Sequence, residues 1–600
     1  MRSINFAASA LALAIGLAAT ATPVAAQEGY QTPPQDVTDI VTRAPSPGVS
    51  VSPDNDQILL LEREALPPVA ELAKPMEKLA GLRLDASIND RYGTRATVGL
   101  VLQDIASGAT RRVALPAEAD ISDVSWKPDG SQVVFTNTRS DAMDLHVLDT
   151  DTATVAKLMT GGVNPIFQNP RWMPDGSLLV LTIPQDRGPK PVESLTPSGP
   201  AIQDAAGGVE AQTRTYQDLL ENPHDEALFE WLTTSQPVVM NADGSGMRAI
   251  GEPRIYTSVT PSPDGEYLLM EWLEKPFSYQ VPYYRFPITS AVYNREGELV
   301  QMIAEQPLAD ALPVQGVVTG RRNIQWHPTE DSLLMWVEAQ DGGDPRVESD
   351  NRDNLYALTA PFSGEGRVVA RFEDRASGAM GIEGTDDMIA YDYDRDTREL
   401  RQSLVDVTGG NAPRVLNLRN VQDAYNDPGS PLTTYTARGF GVARNVDGKL
   451  LLTGSGATPE GLRPFLRRFD LTTLETEELW RNSGEQLESV IDVLDDDGSE
   501  FLTFYESPLN PGNIKLYGDG TERFITDFPD PHPELTGIKR ELVTYQRADG
   551  VDLTATLYLP PEYKEGDKLP VVVWAYPREF NDAATASQNR DSPYRFTRTA

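Results

Sequence analysis

The sequence predicts a mainly β protein: an N-terminal β-propeller of seven or eight blades, followed by the start of an α/β domain. Two observations predict this architecture. A turn motif recurs between residues 50 and 500, each time before a short apolar strand, and near residue 532 the pattern changes to longer apolar strands. A chain of 600 residues also suits several hydrophobic cores better than one.

The recurring motif is Pro-Asp-Gly or a near variant, placed between an apolar or aromatic residue and an apolar strand. Because proline presets φ at the first turn position and glycine accepts a positive φ, each copy predicts a hairpin corner. Neighbouring copies are 46 to 89 residues apart, which suits propeller blades of about four strands. The copies lie at Pro53, Pro128, Pro174, Pro263 and Pro328, with degraded versions at Asp386, Asp447 and Asp497.

The longest interval, between Pro174 and Pro263, contains an insertion. Residues 184–208 are rich in proline and glycine, which predicts an extended loop. Residues 213–233 carry apolar residues at helical spacing on both sides of Asn222-Pro223, which predicts two helices. The helical insertion around 184–233 would either cover the mouth of the propeller or decorate its side.

The first 26 residues have the pattern of a secretory signal peptide. Arg2 supplies the positive charge, residues 6–20 are apolar, and residues 24–26 are small. Because the apolar run is shorter than the roughly 20 residues that span a bilayer, we expect no membrane anchor. The mature chain is expected to begin near Gln27 and to be periplasmic or secreted, a location that suits a chain without cysteine.

Composition argues against several classes of function. Asp and Glu total 89 against 52 Lys and Arg, a net charge of −37, so nucleic acid and anionic lipid would be repelled. The absence of cysteine excludes disulfides, thiolate zinc sites and cysteine nucleophiles. The four histidines lie in separate segments without the spacing of metal ligands, so we expect neither a metal nor another cofactor.

The C-terminal part carries a resemblance to a known family. Residues 528–533 form a proline-dense linker, Asp549-Gly550 marks a hairpin, and residues 569–576 read as a strand buried on both faces. Together with the propeller repeats, this order resembles the prolyl oligopeptidase family of serine peptidases. The strings that resemble its glutamyl endopeptidase branch, known from chloroplasts and bacteria, are ALPPVAELAKPMEKLAGLRLD (65–85), YQDLL (216–220), EAQDGGD (338–344), LLTGSGATP (451–459) and YQRADGVDLTATLYLPP (545–561).

The resemblance implies a propeller domain over 27–532 and the N-terminal part of an α/β-hydrolase domain over 533–600. It further implies an exported serine endopeptidase that cleaves peptides after Glu by acyl transfer, with the propeller restricting access. Tyr576 matches the oxyanion-hole tyrosine of the family, although Pro577-Arg578-Glu579 follows it where the family commonly has Gly-Gly. Because no G-x-S-x-G occurs in the 600 residues, we expect the catalytic Ser, Asp and His beyond Ala600 and no activity from this chain alone.

Cleavage after Glu requires a cation in the substrate pocket, and the guanidinium fork of arginine matches a carboxylate. Arg285 and Arg322 are the candidates, with Arg254, Lys275 and Arg578 as further possibilities. Two other functions stay open: a non-catalytic secreted propeller that binds peptides or a surface polymer, and an aminopeptidase or dipeptidyl peptidase of the same superfamily. The last would need a carboxylate pair for the substrate amine. The sequence does not indicate an oligomeric state.

Overall fold

The computed structural model describes residues 32–93, 96–194, 214–576 and 578–596. The predicted signal peptide and residues 195–208 of the predicted loop lie outside this part. The described chain is mainly β, as the sequence predicts. In the described ranges, no helix combines the length and the apolar character needed to cross a membrane.

Most strands belong to eight antiparallel units that follow one another along the chain, named sheets 1 to 8 here. Sheet 1 comprises Gly48–Val51, Gln57–Arg63, Thr97–Asp104 and Thr110–Arg112, and sheet 2 comprises Ile121–Trp126, Gln132–Thr138, Met143–Asp149 and Thr154–Met159. Sheet 3 comprises Arg171–Trp172, Leu178–Thr182, Gln236–Met240 and Arg248–Ala249, and sheet 4 comprises Ile255–Pro261, Tyr267–Leu273, Ile288–Asn294 and Leu299–Gln306. A single pairing, Thr97 with Ile121, joins sheet 1 to sheet 2.

Sheets 5 to 8 continue the same arrangement. Sheet 5 comprises Arg322–Trp326, Leu333–Ala339, Asp353–Thr359 and Arg367–Phe372, and sheet 6 comprises Arg375–Gly381, Asp387–Tyr393, Glu399–Asp406 and Arg414–Asn420. Sheet 7 comprises Ser430–Pro431, Asn445–Val446, Lys449–Gly454, Phe465–Asp470 and Thr476–Arg481, and sheet 8 comprises Leu487–Val493, Phe501–Ser507, Asn510–Gly518 and Thr521–Phe524. Sheet 7 has five strands because two short segments pair with its Lys449–Gly454 strand.

The eight predicted turns each lie between two paired strands of a different sheet, which confirms the hairpin prediction. The turn at Pro128 shows the chemistry. Asp129 accepts hydrogen bonds from the backbone N–H and the hydroxyl of Ser131 at 3.0 and 2.6 Å, and Gly130 has φ +74°. The carboxylate thus fixes a corner whose last residue needs a left-handed backbone.

The core consists of apolar clusters that each join two neighbouring sheets. In chain order they join sheet 1 to 2, 2 to 3, and so on up to sheets 7 and 8. One further cluster joins sheet 8 back to sheet 1, where Ile58 and Leu60 pack with Leu502 and Ile514. Every sheet is therefore covered on both faces by its neighbours.

The insertion between the strands of sheet 3 contains one helix, not the two that the sequence predicts. Pro223–Thr233 is helical, and the side chain of Asn222 caps it by accepting from the N–H of Asp225 at 3.0 Å. Residues 214–222 form no helix because tertiary contacts hold them. Asp218 has φ +56°, its carbonyl accepts from Gly81 at 2.7 Å, and its carboxylate accepts from Arg83 at 2.7 Å.

The remaining elements are short. They are the helices Gln35–Thr42, Val69–Leu72 and Ala583–Ala586, the 3-10 helix Tyr283–Arg285, the three-stranded sheet Glu77–Leu79, Leu82–Asp85 and Asp90–Arg91, and the pairs Thr433–Tyr435 with Gly441–Ala443, Ala457–Thr458 with Gly461–Leu462, and Lys539–Gln546 with Asp552–Leu559.

In a four-stranded antiparallel sheet, the loop between the second and third strands and the end of the fourth strand lie at the same edge. Short connections, such as residues 373–374 between sheets 5 and 6, start the next sheet at that same edge. We call this edge of the stacked sheets the linker face. The loops that carry Arg285 and Arg322 lie on it.

Candidate substrate-binding site

Arg285 and Arg322, the two candidates for recognition of a substrate carboxylate, line the same cavity. The cavity has a volume of about 580 Å³ and lies between sheets 4 and 5 at the linker face. Arg285 ends the 3-10 helix in the loop between the second and third strands of sheet 4, and Arg322 begins sheet 5. Tyr283, Tyr284 and Phe286 add aromatic surface to its wall. We call this space the Arg285–Arg322 cavity.

A β-bulge sets the direction of Arg322. The pairing with the second strand of sheet 5 shifts between Arg322 and Gln325, and Asn323 within the bulge has φ +52°. Asparagine tolerates this left-handed conformation better than most residues. The bulge leaves Arg322 7% exposed.

Arg322 is held by one carboxylate but is not fully satisfied. A terminal nitrogen of its guanidinium contacts the carboxylate of Asp353, which is fully buried. This nitrogen has the Asp353 carboxylate as its partner, whereas the buried Nε has no acceptor in the described ranges. One donor of a buried cation is thus left without a partner.

Asp353 belongs to a buried ionic network between sheets 5 and 6. It accepts from Arg375 at 2.8 Å and from the N–H of Ala376 at 2.7 Å, so its oxygens are largely used. Arg375 also donates to Asp341 at 2.5 Å, and Asp341 accepts from Arg352 at 3.0 Å. Three arginines, Arg322 included, share two aspartates. The network therefore carries one excess positive charge.

A carboxyl group also lines the Arg285–Arg322 cavity. Glu271 accepts from the hydroxyl of Ser290 at 2.9 Å, and burial raises the pKa of its carboxyl, an effect that the Ser290 hydrogen bond opposes. Among the described residues, Glu271 forms no ion pair with either arginine, and Arg285 forms no ion pair at all. The two cations are therefore not neutralised from this side.

A larger cavity, about 1030 Å³, is acidic and also opens at the linker face, near sheets 1 to 3. Its wall includes Asp90, Asp120 and Asp123, and burial raises the pKa of each. For Asp90 the pKa rises to about 7, with help from the charges of Asp123 and Asp85. Arg91 lines the same cavity, and its Nε donates to the carbonyl of Ile166 at 2.7 Å.

Tyr576, the candidate oxyanion-hole residue, is 84% exposed. The prediction that residues 569–576 form a strand buried on both faces is wrong for this structure. No strand is assigned there, and Val572 and Trp574 are 94% and 91% exposed. A strand needs at least one paired neighbour, and in the described ranges no strand pairs with this segment.

Residues 578–596 lie against the loops of sheets 6 to 8 at the linker face. Gln588 donates to Asp423 at 2.8 Å and accepts from the N–H of Ala424 at 2.6 Å. The N–H of Asn589 donates to the hydroxyl of Tyr425 at 2.9 Å. The segment that follows Tyr576 is thus tied to the same face on which both cavities open.

The sequence suggested the two arginines as candidates but did not indicate the carboxylates around Arg322. Asp341 lies in the string EAQDGGD, yet nothing in the sequence relates it to Arg375, which lies in another sheet. The other cations suggested from the sequence are placed elsewhere: Arg254 stacks on Trp272 and Lys275 pairs with Glu230. In the described ranges, no group of three or more His, Asp or Glu residues has a geometry that could hold a metal ion.

Comparison with known structures gives weak similarity. Dipeptidyl peptidase 4 of Porphyromonas gingivalis has a TM-score of 0.48 at 11% identity, covering 89% of this chain and 68% of that one. Acylaminoacyl peptidase of Pyrococcus horikoshii has a TM-score of 0.39 at 12% identity, covering 88% and 59%. The β-propeller domain of the Trilobed protease from Pyrococcus furiosus has a TM-score of 0.35 at 13% identity, covering 69% and 99%.

Comparison of sequences gives a stronger result, although no family model matches the chain. A protein of Oryza sativa subsp. japonica is 37% identical over 610 residues, which cover 95% of this chain and 65% of that protein. A protein of Arabidopsis thaliana is also 37% identical, over 608 residues that cover 95% and 63%. Both are named probable glutamyl endopeptidase, chloroplastic. The chain is therefore homologous along nearly its whole length to proteins named as peptidases, and it spans about 65% of the length of these relatives.

Proposed function

We propose that this chain is the propeller and the first part of the hydrolase domain of an exported serine endopeptidase that cleaves peptides after Glu. The observation that carries the proposal is 37% identity over 95% of the chain to two proteins named probable glutamyl endopeptidase. Similarity that extends through all eight sheets and into the C-terminal part is hard to explain by a shared propeller alone.

We further propose that sheets 1 to 8 are the blades of an eight-bladed propeller. Their order along the chain, their four-stranded antiparallel form and the clusters between neighbours support this. The cluster that joins sheet 8 to sheet 1 is the contact that closure of a propeller requires. Such a propeller would restrict the substrates to peptides that reach the linker face.

In the proposed enzyme, the hydroxyl of Tyr576 donates to the oxyanion of the tetrahedral intermediate. A serine nucleophile, a histidine that acts as general base and acid, and a carboxylate that orients the histidine would complete the site. In our proposal these three residues lie beyond Ala600. Removing one oxyanion donor typically lowers kcat by about 100- to 1,000-fold, which is the effect expected of Tyr576→Phe in the full-length enzyme.

The location of the protein follows from its first 26 residues. We propose that they are cleaved after Ala26 and that the mature enzyme is periplasmic or secreted. N-terminal sequencing of the protein from a cell fraction tests this. A mature protein that retains Met1 or Arg2 would contradict it.

Two experiments test the proposed activity. A digest of a peptide library with the full-length enzyme should give cleavage mainly after Glu and less after Asp, and cleavage mainly after Pro would refute this specificity. The 600-residue chain should not react with a fluorophosphonate probe, since it contains no G-x-S-x-G elbow. Stoichiometric labelling of one of its serines would show that the nucleophile has been misassigned.

The acidic cavity favours a second candidate function. An aminopeptidase or dipeptidyl peptidase must hold a free substrate amine, and Asp90, Asp120 and Asp123 line one cavity at the linker face. In the same digest, that activity would remove one or two residues from the N-termini of peptides. Blocking the N-termini by acetylation would then abolish cleavage, whereas an endopeptidase would still cleave.

A further inference from the structure

The Arg285–Arg322 cavity is built around an excess positive charge. The three arginines Arg322, Arg352 and Arg375 share the carboxylates Asp341 and Asp353, both of which are buried. A buried cation without a full counter-charge is costly, and an anion bound beside it would relieve that cost. The charge balance of this region therefore points to a negatively charged ligand.

The one arginine of the network that lines the cavity is also incompletely paired. Nε of Arg322 lacks an acceptor in the described ranges, one terminal nitrogen contacts Asp353, and Arg322 belongs to the cavity wall. The carboxylate that contacts Arg322 is shared with other donors, because Asp353 already accepts from Arg375 and Ala376. The guanidinium of Arg322 is therefore only partly neutralised, and a carboxylate in the cavity would match the fork geometry of such a group.

The second cation and the size of the cavity narrow the ligand further. Arg285 lines the same space without an ion pair in the described ranges, and the volume of about 580 Å³ suits an amino-acid side chain with its flanking backbone. Glu271 at the wall disfavours a ligand with several negative charges. A single carboxylate on a short, flexible chain fits these features.

We propose that the Arg285–Arg322 cavity binds the side-chain carboxylate of an acidic residue in a peptide substrate, with Arg322 as the buried cation, Arg285 as the second one and Asp353 as the residue that positions Arg322. The inference rests on the proposed function for the statement that the ligand is a peptide. It assigns the specificity to the propeller part of the chain, at the face where residues 578–596 dock.

Ligand binding to the 600-residue chain tests the site without catalysis. The probes are N-acetyl-glutamic acid α-amide and the matching glutamine compound, which has nearly the same shape but no charge. By ligand-observed NMR, the glutamic acid compound should bind at least tenfold more tightly. R322Q should abolish this preference, and R285Q should weaken it. Failure of the wild-type chain to prefer the acidic compound would overturn the proposal.

Arg321 provides a matched control. It is adjacent to Arg322, but its guanidinium stacks on Trp336 at 4.4 Å, and its side chain lines a different cavity. R321Q should therefore bind both compounds like the wild type. If R322Q fails to fold, R285Q decides, because Arg285 is only half-buried and lies in a loop. A preference that survives R285Q, and R322Q where it folds, would refute the assignment.

Kinetics of the full-length enzyme test the positioning role of Asp353. The ratio of kcat/KM for a Glu peptide to that for its Gln analogue should be at least about 100 in the wild type. D353N should lower this ratio at least tenfold and leave kcat/KM for the Gln peptide within threefold. D344N changes the carboxylate that pairs with Arg346 in the loop before the strand Asp353–Thr359, and it should not change the ratio. An equal loss for both peptides in D353N would show a merely structural role.

Ligand binding to the 600-residue chain and cleavage by the full-length enzyme distinguish failure of the proposed site from failure of the proposed function. An enzyme that does not cleave after Glu would refute the proposed function, while preference of the 600-residue chain for the acidic compound would still support the site. Cleavage after Glu with an unchanged Glu-to-Gln ratio in R322Q and R285Q would leave the function intact and refute the site.

Discussion

His327 shows how a single buried side chain makes stability depend on pH. It is fully buried in the turn of sheet 5, its Nδ1 lies 3.2 Å from the hydroxyl of Thr329, and its Nε2 has no acceptor in the described ranges. Burial lowers the pKa of its imidazole to about 4, although the charge of Asp386 opposes this. The folded protein therefore resists protonation that the unfolded chain accepts.

The sign of this effect follows from linkage. Because the folded pKa of His327 lies below the ordinary 6.5, its contribution to stability is complete above pH 6.5 and is lost as the pH falls towards 4, by on the order of 3 kcal/mol. We expect H327N to reduce the loss of stability between pH 7 and 4.5, measured as the urea midpoint. H224N, on the insertion helix, is the control. An identical pH profile for wild type and H327N would contradict the prediction.

Asp90 makes stability depend on pH in the opposite direction. Its raised pKa of about 7 means that stability falls as the pH rises from about 4 to 7, because the folded state must give up a proton that the unfolded chain has already lost. Solvent reaches Asp90 through the cavity, so we expect D90N to stabilise the protein at pH 8 by only about 1 to 2 kcal/mol. At pH 4 the two proteins should unfold alike. E118Q, an exposed residue of the same cavity, should have no effect at either pH, and an equal gain from E118Q would point to net charge alone.

At this scale, sequence reasoning identified types of residue but not their partners. Arg285 and Arg322 line one cavity, while their role in binding a substrate carboxylate stays a prediction. The carboxylates of the network around Arg322 could not be predicted from the sequence, because the packing of sheet 5 on sheet 6 brings them together with the arginines. Asp341 and Arg375 are 34 residues apart, yet they lie at 2.5 Å.

At the scale of elements, the hairpin turns were predictable and the insertion was not. Turn chemistry is local: Pro, Asp and Gly act on their own backbone, so each of the eight copies marks a turn between paired strands of a different sheet. The segment around Asp218 has helical spacing, but its hydrogen bonds go to Gly81 and Arg83 in another part of the chain. Tertiary contacts override a weak local preference there.

The junction between sheets 8 and 1 differs from the other seven, because in the described ranges neither a direct chain connection nor a strand pairing crosses it. Side chains hold it instead. Ile514 is fully buried in the shared cluster, Arg523 donates to the carbonyl of Ile105 at 2.9 Å, and Gln103 donates to the carbonyl of Ile525. Local opening should therefore begin at this junction.

We expect I514A to cost about 2 to 5 kcal/mol and to increase hydrogen exchange selectively in sheets 1 and 8. The matched control is I389A, which removes an equally buried side chain between sheets 6 and 7, where a short connection and local contacts persist. That variant should lose similar stability without faster exchange at sheets 1 and 8. Uniform exchange in both variants would show that the junction is no weaker than the others.

For the whole molecule, the sequence predicted the mainly β class. That class depends on the composition and periodicity of long segments, which average over local errors. The domain boundary near residue 532 stays a prediction. The strand prediction for residues 569–576 failed because burial on both faces is a property of a complete sheet. The apolar run has the right composition, but burial of both faces needs paired strands together with helices packed on the sheet.

The exposed apolar residues 571–574 form a surface that promotes association between molecules, whereas the negative net charge opposes association. Val571, Val572, Val573 and Trp574 are 77–94% exposed, whereas the net charge of −37 keeps molecules apart. An exposed apolar segment whose backbone pairs with no strand in the described ranges can act as a template for pairing with another copy. Salt screens the repulsion but not the apolar attraction, so self-association should increase with ionic strength.

We therefore expect the 600-residue chain to be monomeric at low salt and to associate at about 0.5 M salt, when measured by sedimentation velocity. V572D should suppress the association by placing a charge in the run. V192D changes an equally exposed valine, 90% accessible, outside the run and adds the same charge, so it serves as the control. If both variants suppress association equally, net charge and not the apolar segment is responsible. If the wild type stays monomeric at high salt, the segment is not an adhesive surface.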